Sequence, residues 1–371
     1  MKMHSKISKE SLNKILLIKQ RNIGDVLLLV PTIMALRESF PNTYIAVLVN
    51  SGTEEMLTFN PAIDEIIVFD RKWKGMPFLK RWIKEISFVR NIHKKKFDMV
   101  INLTEGDRGA IFSLLSGAKY RLGFNPSGKG FLGKKHIFTH LEEVPDKKFH
   151  VVDYNLALLK VLEIKPSNKD ISIYFSEEDA KYIEEIFYKN SIQKEDILVH
   201  IHPTSRWLFK CWSDRKMAEV IDYLRLEKKT KVFLTAAPSK KELEKIENIL
   251  SYTTSEPINL AGSTTLKQLV ALSSKCDLFF GIDSAPMHIA AAVKTPVIAL
   301  FGPSGEFNWG PWGNGHTVIT KEMDCRPCGK DGCNGTKRSL CLETIELDDV
   351  LDVINRKLEA INESRFYKKE V

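Results

Sequence analysis

The sequence predicts an α/β protein made of two doubly wound, Rossmann-like parallel sheets that face a cleft. Short apolar runs that suit buried strands alternate with helical stretches in both halves of the chain. Turns with glycine, proline or small polar residues separate these stretches. A chain of 371 residues is also long enough for two domains. We place the domains at residues 1–178 and 179–371.

The first strand, 14–19, leads into a loop with Gly24 and then into a helix predicted over 26–40. Pro31 is expected to kink this helix or to fix its second turn. Asp25 can cap the helix, and a strand, a glycine-bearing loop and a helix N-terminus together suit an anion or sugar site. The dinucleotide fingerprint GxGxxG is absent. A plain helix cap is the alternative explanation for Asp25.

Polar residues also follow the fourth strand of this half. Further strands are predicted at 44–49, within 60–69 and at 98–103. Glu105, Asp107 and Arg108 come directly after the last of these. Because parallel strands end at the same edge of a sheet, we expect these side chains to face the same cleft as Asp25.

Residues 71–96 are rich in lysine and arginine, with large apolar residues such as Trp73, Phe78 and Trp82 between them. A basic amphipathic helix with tryptophans can lie on an anionic membrane surface. A helix docked on the sheet with a solvated charged face explains the pattern equally well. The loop 125–135 is also basic, for which surface charge and contact with an acceptor molecule are both explanations.

The first strand of the second half carries two histidines. Alternation places His200 and His202 on one face of that strand. We interpret them as structural, because no third metal ligand is apparent. The turn that follows holds hydroxyl groups together with Arg206 and Lys210, a set that could bind a diphosphate.

The stretch 278–302 predicts a buried strand, a turn, a helix and a further strand. Ser284 can cap the helix, and Pro286 is tolerated at its start. Asp283 and Ser284 would lie at the carboxyl end of a strand and at a helix N-terminus, where open α/β sheets bind phosphates. An ordinary capped βαβ unit explains the pair as well. His288 taken alone would be a packed or solvent-facing histidine. A last helix is predicted at 348–363, and packing back on the first domain is one arrangement for it.

The formal charge of +8 implies anionic partners such as nucleotide phosphates, acidic lipid or nucleic acid. No apolar run approaches the roughly 18 residues that span a bilayer. The start of the chain, residues 1–14, is polar, so we expect a cytoplasmic protein. Four cysteines, Cys325, Cys328, Cys333 and Cys341, have spacings that suit either a small zinc site or a set of reduced thiols.

Several motifs together resemble the bacterial ADP-heptose:lipopolysaccharide heptosyltransferases, glycosyltransferase family 9. They are IKQRNIGDVL at 18–27, LAG at 260–262 and GIDSAPMH at 281–288. HPTSR at 202–206 with FKCW at 209–212 is most similar to the heptosyltransferase III branch. The motifs keep the family's order over nearly the whole chain. One departure is Ala285-Pro286, where several members carry glycine and another residue.

The resemblance implies an inverting glycosyltransferase of the GT-B type that needs no metal or other cofactor for catalysis. Its donor would be ADP-heptose and its acceptor the inner core of lipopolysaccharide. The enzyme would work at the cytoplasmic face of the inner membrane, in peripheral contact with an anionic surface.

The resemblance also assigns roles to single residues. Asp25 would be the general base. Donor-binding residues would be Thr204, Ser205, Lys210, Gly262, Asp283, Ser284, Ala285 and His288. Among them, Lys210, Thr204 and Ser205 would meet the phosphates and Asp283 the sugar hydroxyls. Candidates on the acceptor side are Gly24, Glu105, Asp107 and Arg108.

Other hypotheses remain at this point. A related enzyme could use another nucleotide sugar or acceptor. A nucleotide-sugar-modifying enzyme such as an epimerase would need no acceptor at all. A nucleic-acid binder is disfavoured, because the basic residues occur in both halves and no nucleic-acid motif accompanies them.

Overall fold

The computed structural model describes residues 7–8, 12–145 and 148–369, with side chains described up to Phe366. The polar start at residues 1–14 therefore lies mostly outside the described residues. The chain divides into two compact units, one up to Tyr174 and the other from Phe175 onward. Within the described ranges, no helix is long and apolar enough to cross a membrane.

The first unit is built on a six-stranded parallel sheet in the order β3-β2-β1-β4-β5-β6. Its strands are β1 Lys14–Lys19, β2 Tyr44–Asn50, β3 Glu65–Phe69, β4 Met99–Asn102, β5 Tyr120–Phe124 and β6 His140–Glu142. Its α-helices are α1 Ile23–Leu27, α2 Val30–Ser39, α3 Phe78–Lys94, α4 Asp107–Leu115 and α5 Val151–Ala157. Short 3-10 turns lie at Glu54–Met56, Arg71–Gly75, Lys134–Ile137 and Leu158–Leu162.

The second unit has its own six-stranded parallel sheet in the order β12-β11-β10-β7-β8-β9. Its strands are β7 Leu198–His202, β8 Lys231–Leu234, β9 Ile258–Asn259, β10 Leu278–Ile282, β11 Val297–Leu300 and β12 Thr317–Ile319. Its α-helices are α6 Glu177–Lys189, α7 Asp214–Asp222, α8 Lys240–Leu250, α9 Leu266–Lys275, α10 Ala285–Ala292, α11 Glu306–Trp309, α12 Leu340–Glu343 and α13 Leu347–Lys369. A π turn at Tyr223–Glu227 extends α7, and 3-10 turns lie at Leu208–Lys210 and Cys333–Gly335.

The two sheets have the same topology. Numbered within its own unit, each sheet has the strand order 3-2-1-4-5-6, with the second sheet read from its β9 edge. The order reverses between β1 and β4 in one unit and between β7 and β10 in the other. The predicted pair of doubly wound, Rossmann-like sheets is thereby confirmed. Such sheets bind ligands at the carboxyl ends of the strands beside this reversal, called the switch point.

Helices cover both faces of the second sheet, which explains why its central strands are buried and, apart from His200 and His202 of β7, apolar. On one face Val199, Ile201 and Phe280 pack with residues of α7, α8 and α13. On the other face Leu198 and Phe233 pack with residues of α6 and α9. Strands that are buried on both faces have nearly continuous hydrophobic sequences, as β10 and β11 do.

Close approach of the two switch-point strands in the second unit requires a glycine. Gly281 of β10 pairs in register with His202 of β7. A Cβ atom at position 281 would lie 2.7 Å from the carbonyl oxygen of His202. A side chain at this position would therefore push β10 away from β7 and disturb the turn at the end of both strands.

The last helix packs in the core of the second unit. Val350, Ile354 and Leu358 of α13 are buried among strand residues of that unit. Near its end, Arg365 Nη2 contacts both carboxylate oxygens of Asp277 at 2.7 Å. Asp277 Oδ2 also accepts the backbone N–H of Leu198 at the start of β7. The helix is thus tied to the amino end of the switch-point strands.

The helix predicted over 26–40 is wrong in its extent. The chain forms two helices there, α1 beginning at Ile23 and α2 beginning at Val30. Pro31 lies in the first turn of α2, where the missing N–H costs nothing, so it starts a helix and does not kink one.

Candidate active site

Asp25 lies in the first helix after β1, at the switch point of the first sheet. Asn22 occupies the N-cap of α1, and Asp25 stands at the third helical position. Its Oδ2 accepts the backbone N–H of Asn22 at 3.3 Å, and the residue is only 9 % exposed. The prediction that Asp25 is the cap is therefore wrong: its carboxylate bonds back to the cap residue from inside the helix. Gly24, beside it, is buried in the same turn.

Lys19, the last residue of β1, is buried close enough to Asp25 for their charges to interact. Its Nζ donates to the carbonyl oxygen of Leu103 at 3.2 Å and to Oδ1 of Asn155 at 3.0 Å. Asn155 in turn donates to the carbonyl oxygen of Leu28 at 3.1 Å. Burial lowers the pKa of Lys19 from 10.5 to about 8, while the charge of Asp25 acts to raise it. At neutral pH Lys19 is therefore mainly a cation beside the carboxylate of Asp25.

The residues after β4 form a second, more exposed group of charges. Glu105 pairs with Arg21 at 2.9 Å, and both side chains are well exposed, so the pair adds little stability. The nearly buried Lys134 donates to the carbonyl oxygen of Glu105 at 2.6 Å and pairs with Asp107 at 3.1 Å. Lys19 interacts electrostatically with both Asp25 and Glu105. The structure thus groups these two predicted carboxylates.

Arg108 has different surroundings. Its guanidinium lies over the ring of Phe69, 4.7 Å from the ring centroid. Burial lowers the pKa of Arg108, and the charges that act on it are Glu85, Arg81 and Arg71. These residues belong to the region of α3. The structure therefore does not group Arg108 with Asp25 and Glu105.

At the switch point of the second sheet, Lys210 and Asp283 form an ion pair. Lys210 belongs to the turn after β7 and Asp283 follows β10 directly. The distance from Nζ to Oδ2 is 2.5 Å, and the side chains are 16 % and 9 % exposed. A charge-assisted hydrogen bond in such a setting is considerably stronger than one at an exposed surface. The pair fixes a half-buried ammonium group at the carboxyl end of the sheet.

An aromatic ring supports this ammonium group. The ring of Trp207 has the guanidinium of Arg206 4.3 Å and Nζ of Lys210 5.1 Å from its centroid. Cation–π contact of this kind attracts a cationic side chain to the face of the ring. The ring of Trp207 thus contacts two cationic side chains, those of Arg206 and Lys210.

Thr204 and Ser205 stand in the same turn, but their hydroxyls already have partners. Thr204 donates to Oε2 of the buried Glu242 at 2.9 Å, and Ser239 donates to Oε1 of the same carboxylate at 3.1 Å. Ser205 Oγ accepts the backbone N–H of Trp207 at 3.3 Å. These bonds shape the turn that carries Lys210.

Ser284 occupies the N-cap of α10, as predicted, but its side chain does not cap the helix. Its hydroxyl oxygen is buried and has no hydrogen-bond partner among the described residues. A buried hydroxyl without a partner is costly, which makes Ser284 a candidate for a hydrogen bond to a ligand. Ala285 begins the helix, and His288 is buried one turn further on. Gly262, in the loop between β9 and α9, has φ +72°, a conformation that favours glycine.

The two histidines of β7 are structural, as predicted. Both imidazoles bond the hydroxyl of Thr235, at 2.7 Å for His200 and 2.8 Å for His202, and His200 also bonds Ser273 at 3.0 Å. Burial lowers the pKa of His202 to about 3 and that of His200 well below its usual value. Both rings are therefore neutral over the physiological range.

The cysteine loop gives no support to a zinc site. Cys325, Cys328, Cys333 and Cys341 are all free, ranging from exposed to buried. In the part of the chain that the structure describes, no group of three or more His, Cys, Asp or Glu residues is arranged to hold a metal ion. The arrangement agrees with the alternative of reduced thiols.

Sequence reasoning missed four residues of these two sites: Lys19, Gln20, Trp207 and Glu242. Gln20 follows β1, and both polar atoms of its side-chain amide are buried with no hydrogen-bond partner among the described residues. The sequence holds little signal for Lys19, because a lysine at the last position of a strand is ordinary and only the fold buries it. Glu242 lies distant in sequence from Thr204, and only the fold brings them together.

Comparison with known proteins identifies the family. A profile of glycosyltransferase family 9 (heptosyltransferase) matches residues 86–338, more than half of the chain. The chain belongs to glycosyltransferase family 9. This family 9 glycosyltransferase is 35% identical to lipopolysaccharide heptosyltransferase 3 of Escherichia coli K12 over 291 residues, covering 78% of this chain and 82% of that protein. The predicted resemblance is confirmed, including its closeness to heptosyltransferase 3.

Solved structures agree with this family 9 fold. The family 9 glycosyl transferase of Veillonella parvula superposes with a TM-score of 0.80 at 24% identity, covering 96% of this chain and 100% of that one. The ADP-heptose lipopolysaccharide heptosyltransferase II of E. coli superposes with a TM-score of 0.73 at 22% identity, with the same coverage. At these identities the likeness shows the fold alone.

Proposed function

We propose that this family 9 enzyme transfers heptose from ADP-heptose to the inner core of lipopolysaccharide, with inversion at the anomeric carbon and without a catalytic metal. The Lys210–Asp283 pair at the switch point of the second sheet carries the proposal. It presents an ammonium group beside the start of α10, where a diphosphate would be stabilised. The 35% identity with lipopolysaccharide heptosyltransferase 3 supports the choice of heptose and of this acceptor.

Asp25 is the general base of the proposed reaction. An acceptor hydroxyl attacks the anomeric carbon, its proton passes to the Asp25 carboxylate, and the bond from that carbon to the β-phosphate oxygen breaks. The charge of Asp25 interacts with the buried ammonium group of Lys19. The Asn22 N–H at 3.3 Å fixes the orientation of the carboxylate.

Lys210 and the start of α10 stabilise the departing ADP. Negative charge accumulates on the leaving phosphate oxygens, and preorganised donors aimed at that charge lower the barrier. The buried, unpartnered hydroxyl of Ser284 adds a hydrogen-bond donor at the same helix end. These groups supply the positive potential that a magnesium ion provides in other transferases, so the proposed reaction needs no metal.

Because the proposed acceptor is a lipid, we propose that the enzyme works at the cytoplasmic face of the inner membrane. The net charge of +8 is compatible with an anionic surface there. Nucleic acid plays no part in this proposal.

The test is a transfer assay with purified protein, several nucleotide sugars and truncated core acceptors, analysed by mass spectrometry. We expect one heptose to be added only when ADP-heptose and acceptor are both present. Conversion of the donor in the absence of acceptor would instead indicate a nucleotide-sugar-modifying enzyme. Transfer from a different nucleotide sugar would keep the reaction class and correct the substrate.

The same assay tests metal independence. Activity should persist in excess EDTA, because Lys210 and the helix end take the role of the cation. Loss of activity in EDTA that added Mg²⁺ or Mn²⁺ restores would overturn this part of the proposal and leave the rest standing.

A further inference from the structure

The positive charge of the chain is concentrated in one segment. Residues 71–96 contain ten lysines and arginines and a single acidic residue, Glu85. The rest of the chain contains 45 basic and 46 acidic residues, from totals of 55 and 47. The whole net charge of +8 therefore comes from this segment, although lysine and arginine occur in both halves.

The same segment exposes a row of large apolar side chains on α3. Phe78, Leu79, Trp82, Ile83 and Ile86 are 73 %, 72 %, 51 %, 62 % and 42 % exposed. Their spacing of three to four residues puts them on one side of the helix. These five residues form what we call the α3 surface. Single exposed hydrophobic residues are ordinary, but a row of five on one helix marks an interaction site.

The opposite side of α3 explains why the helix stays in place. Ile92 is buried, and Phe88 packs on Phe69 and Phe112 with ring centroids 5.4 and 5.6 Å apart. Trp73 also joins this aromatic cluster, 5.1 Å from Phe69, which for this residue agrees with the alternative of docking on the sheet. The α3 surface is thus carried by a helix that is anchored to the sheet.

The neighbouring helix α4, which Phe112 joins to α3, adds apolar exposure of its own. Ile111, Leu114 and Leu115 are between 42 % and 48 % exposed. Lys80, Lys84 and Arg90 are exposed on α3, and the only acidic residue of the segment, Glu85, is paired with Arg81 at 3.0 Å. The apolar row is therefore flanked by several cations and by no second carboxylate from the segment.

We propose that the α3 surface docks on an anionic lipid bilayer, lying parallel to it, with its apolar row at the boundary of headgroups and acyl chains. An apolar row buries area in the bilayer while flanking lysines and arginines contact lipid phosphates, which is the design of interfacial helices. A nucleic acid would use the charge but leave five apolar side chains exposed. The proposal rests on the proposed function for the identity of the membrane, since the acceptor there is a lipid.

The surface can be tested without donor or acceptor, by sedimenting the full chain with vesicles. Vesicles of phosphatidylcholine alone are compared with vesicles containing about one third phosphatidylglycerol. We expect binding to the anionic vesicles, at least about tenfold weaker binding to the neutral ones, and weakening on going from about 0.1 to 0.5 M salt. Binding that ignores lipid charge and salt would overturn the proposal.

Variants then locate the surface. The double substitution Leu79→Ser with Ile83→Ser should lower binding to anionic vesicles at least about tenfold, because both side chains lose their apolar contact. The matched control is Tyr188→Ser with Leu226→Ser, two large and well-exposed side chains of the second unit, which should bind as wild type does. Equal binding of both double variants to wild type, or an α3 variant that only loses self-association in light scattering, would overturn the assignment.

Measuring turnover on soluble and on membrane-embedded acceptor distinguishes failure of the docking surface from failure of the proposed function. The Leu79/Ile83 variant should retain its turnover on a soluble truncated acceptor and lose most of it on an acceptor embedded in vesicles. Absence of transfer in wild type with intact vesicle binding would overturn the proposed function alone. Transfer with no vesicle binding would overturn the docking surface alone.

Discussion

Each unit has a buried basic side chain at the last position of its first strand, but the two side chains differ in charge. Lys19 ends β1, and His202 ends β7, the corresponding strand of the second sheet. Burial lowers both pKa values, to about 8 for Lys19 and about 3 for His202. At neutral pH the first unit has a cation there and displays the carboxylate of Asp25. The second unit has a neutral ring there and displays the ammonium group of Lys210.

This difference shows what topology does and does not determine. An identical strand order puts a site at the switch point of each sheet. The turn after the first strand of each sheet then decides whether the site contains a carboxylate or an ammonium group. In the first unit that turn enters α1 at once, whereas in the second it runs through Trp207 and Lys210 before α7. Substitutions that remove one of the displayed groups test whether the two sites have different roles.

The largest effect is expected for Asp25→Asn. Asparagine keeps the shape and can still accept the Asn22 N–H, so stability should remain nearly unchanged. It cannot accept the proton of the acceptor, and a positioned base contributes about 10²–10⁴-fold. Turnover in the transfer assay should fall at least about a hundredfold.

Two measurements control this prediction. ADP affinity by titration calorimetry should be unchanged in Asp25→Asn. Asp107→Asn, which removes a neighbouring carboxylate paired with Lys134, should retain most of the turnover. If Asp25→Asn stays active and Asp107→Asn or Glu105→Gln loses activity, the base lies after β4 and not after β1.

Lys210→Ala should weaken ADP binding at least about tenfold. It removes a cation that would face two phosphates, and hydrogen bonds to charged groups contribute about 1.5–3 kcal/mol. Lys240→Ala is the matched control, because that lysine side chain is 89 % exposed on the same unit. Unchanged ADP affinity of Lys210→Ala would remove the Lys210–Asp283 pair from the donor site.

Asp283→Asn should have a smaller effect on ligand affinity than Lys210→Ala. It tests whether Asp283 contacts the donor sugar or only holds Lys210 in place. If Asp283 contacts the donor sugar, this variant should lose about three- to tenfold in affinity for ADP-heptose and much less for ADP. Lys210→Ala should weaken both ligands about equally. An equal loss for ADP and ADP-heptose in Asp283→Asn would mean that the carboxylate acts only by holding Lys210.

Much of the fold could be predicted from the sequence, because most of the central strands are largely apolar runs with turn residues between them. Helix starts were less predictable. The helix after β1 begins at Ile23, since Asn22 provides the cap that the sequence analysis assigned to Asp25. Likewise Ser284 stands at the expected N-cap, yet its hydroxyl does not bond the helix.

The candidate site was predictable where its residues lie a short distance after a strand in the sequence, as Asp25, Glu105 and Asp283 do. It was not predictable where distant parts of the chain meet. Lys19 owes its setting to Asn155, which is 136 residues away, and Thr204 bonds Glu242, which is 38 residues away. The position of the Arg108 guanidinium over the ring of Phe69 depends on the packing of α4 against α3.

The smallest expected effect is on the pH dependence of the free energy of unfolding. It tests whether His202 is a buried neutral base in the second unit. The pKa of His202 is about 3 in the folded chain, against an ordinary value of 6.5. Below pH 6.5 the unfolded chain binds a proton that the folded chain does not, so this residue makes folding less favourable as the pH falls. Its contribution is fully present above pH 6.5 and is lost progressively towards pH 3. Between pH 7 and pH 6 one such group lowers the free energy of unfolding by about 0.7 kcal/mol.

His202→Gln should therefore show a fall in unfolding free energy from pH 7 to pH 6 that is smaller than that of wild type by about this amount. Glutamine can still bond the hydroxyl of Thr235, which accounts for one contact of the imidazole. Urea unfolding followed by tryptophan fluorescence at the two pH values gives the measurement. The exposed His136 of the first unit provides the control variant, His136→Gln, which should keep the wild-type pH dependence. If His202→Gln and His136→Gln both keep the wild-type pH dependence of the unfolding free energy, His202 is not a buried neutral base. The difference in charge between the ends of β1 and β7 would then be wrong.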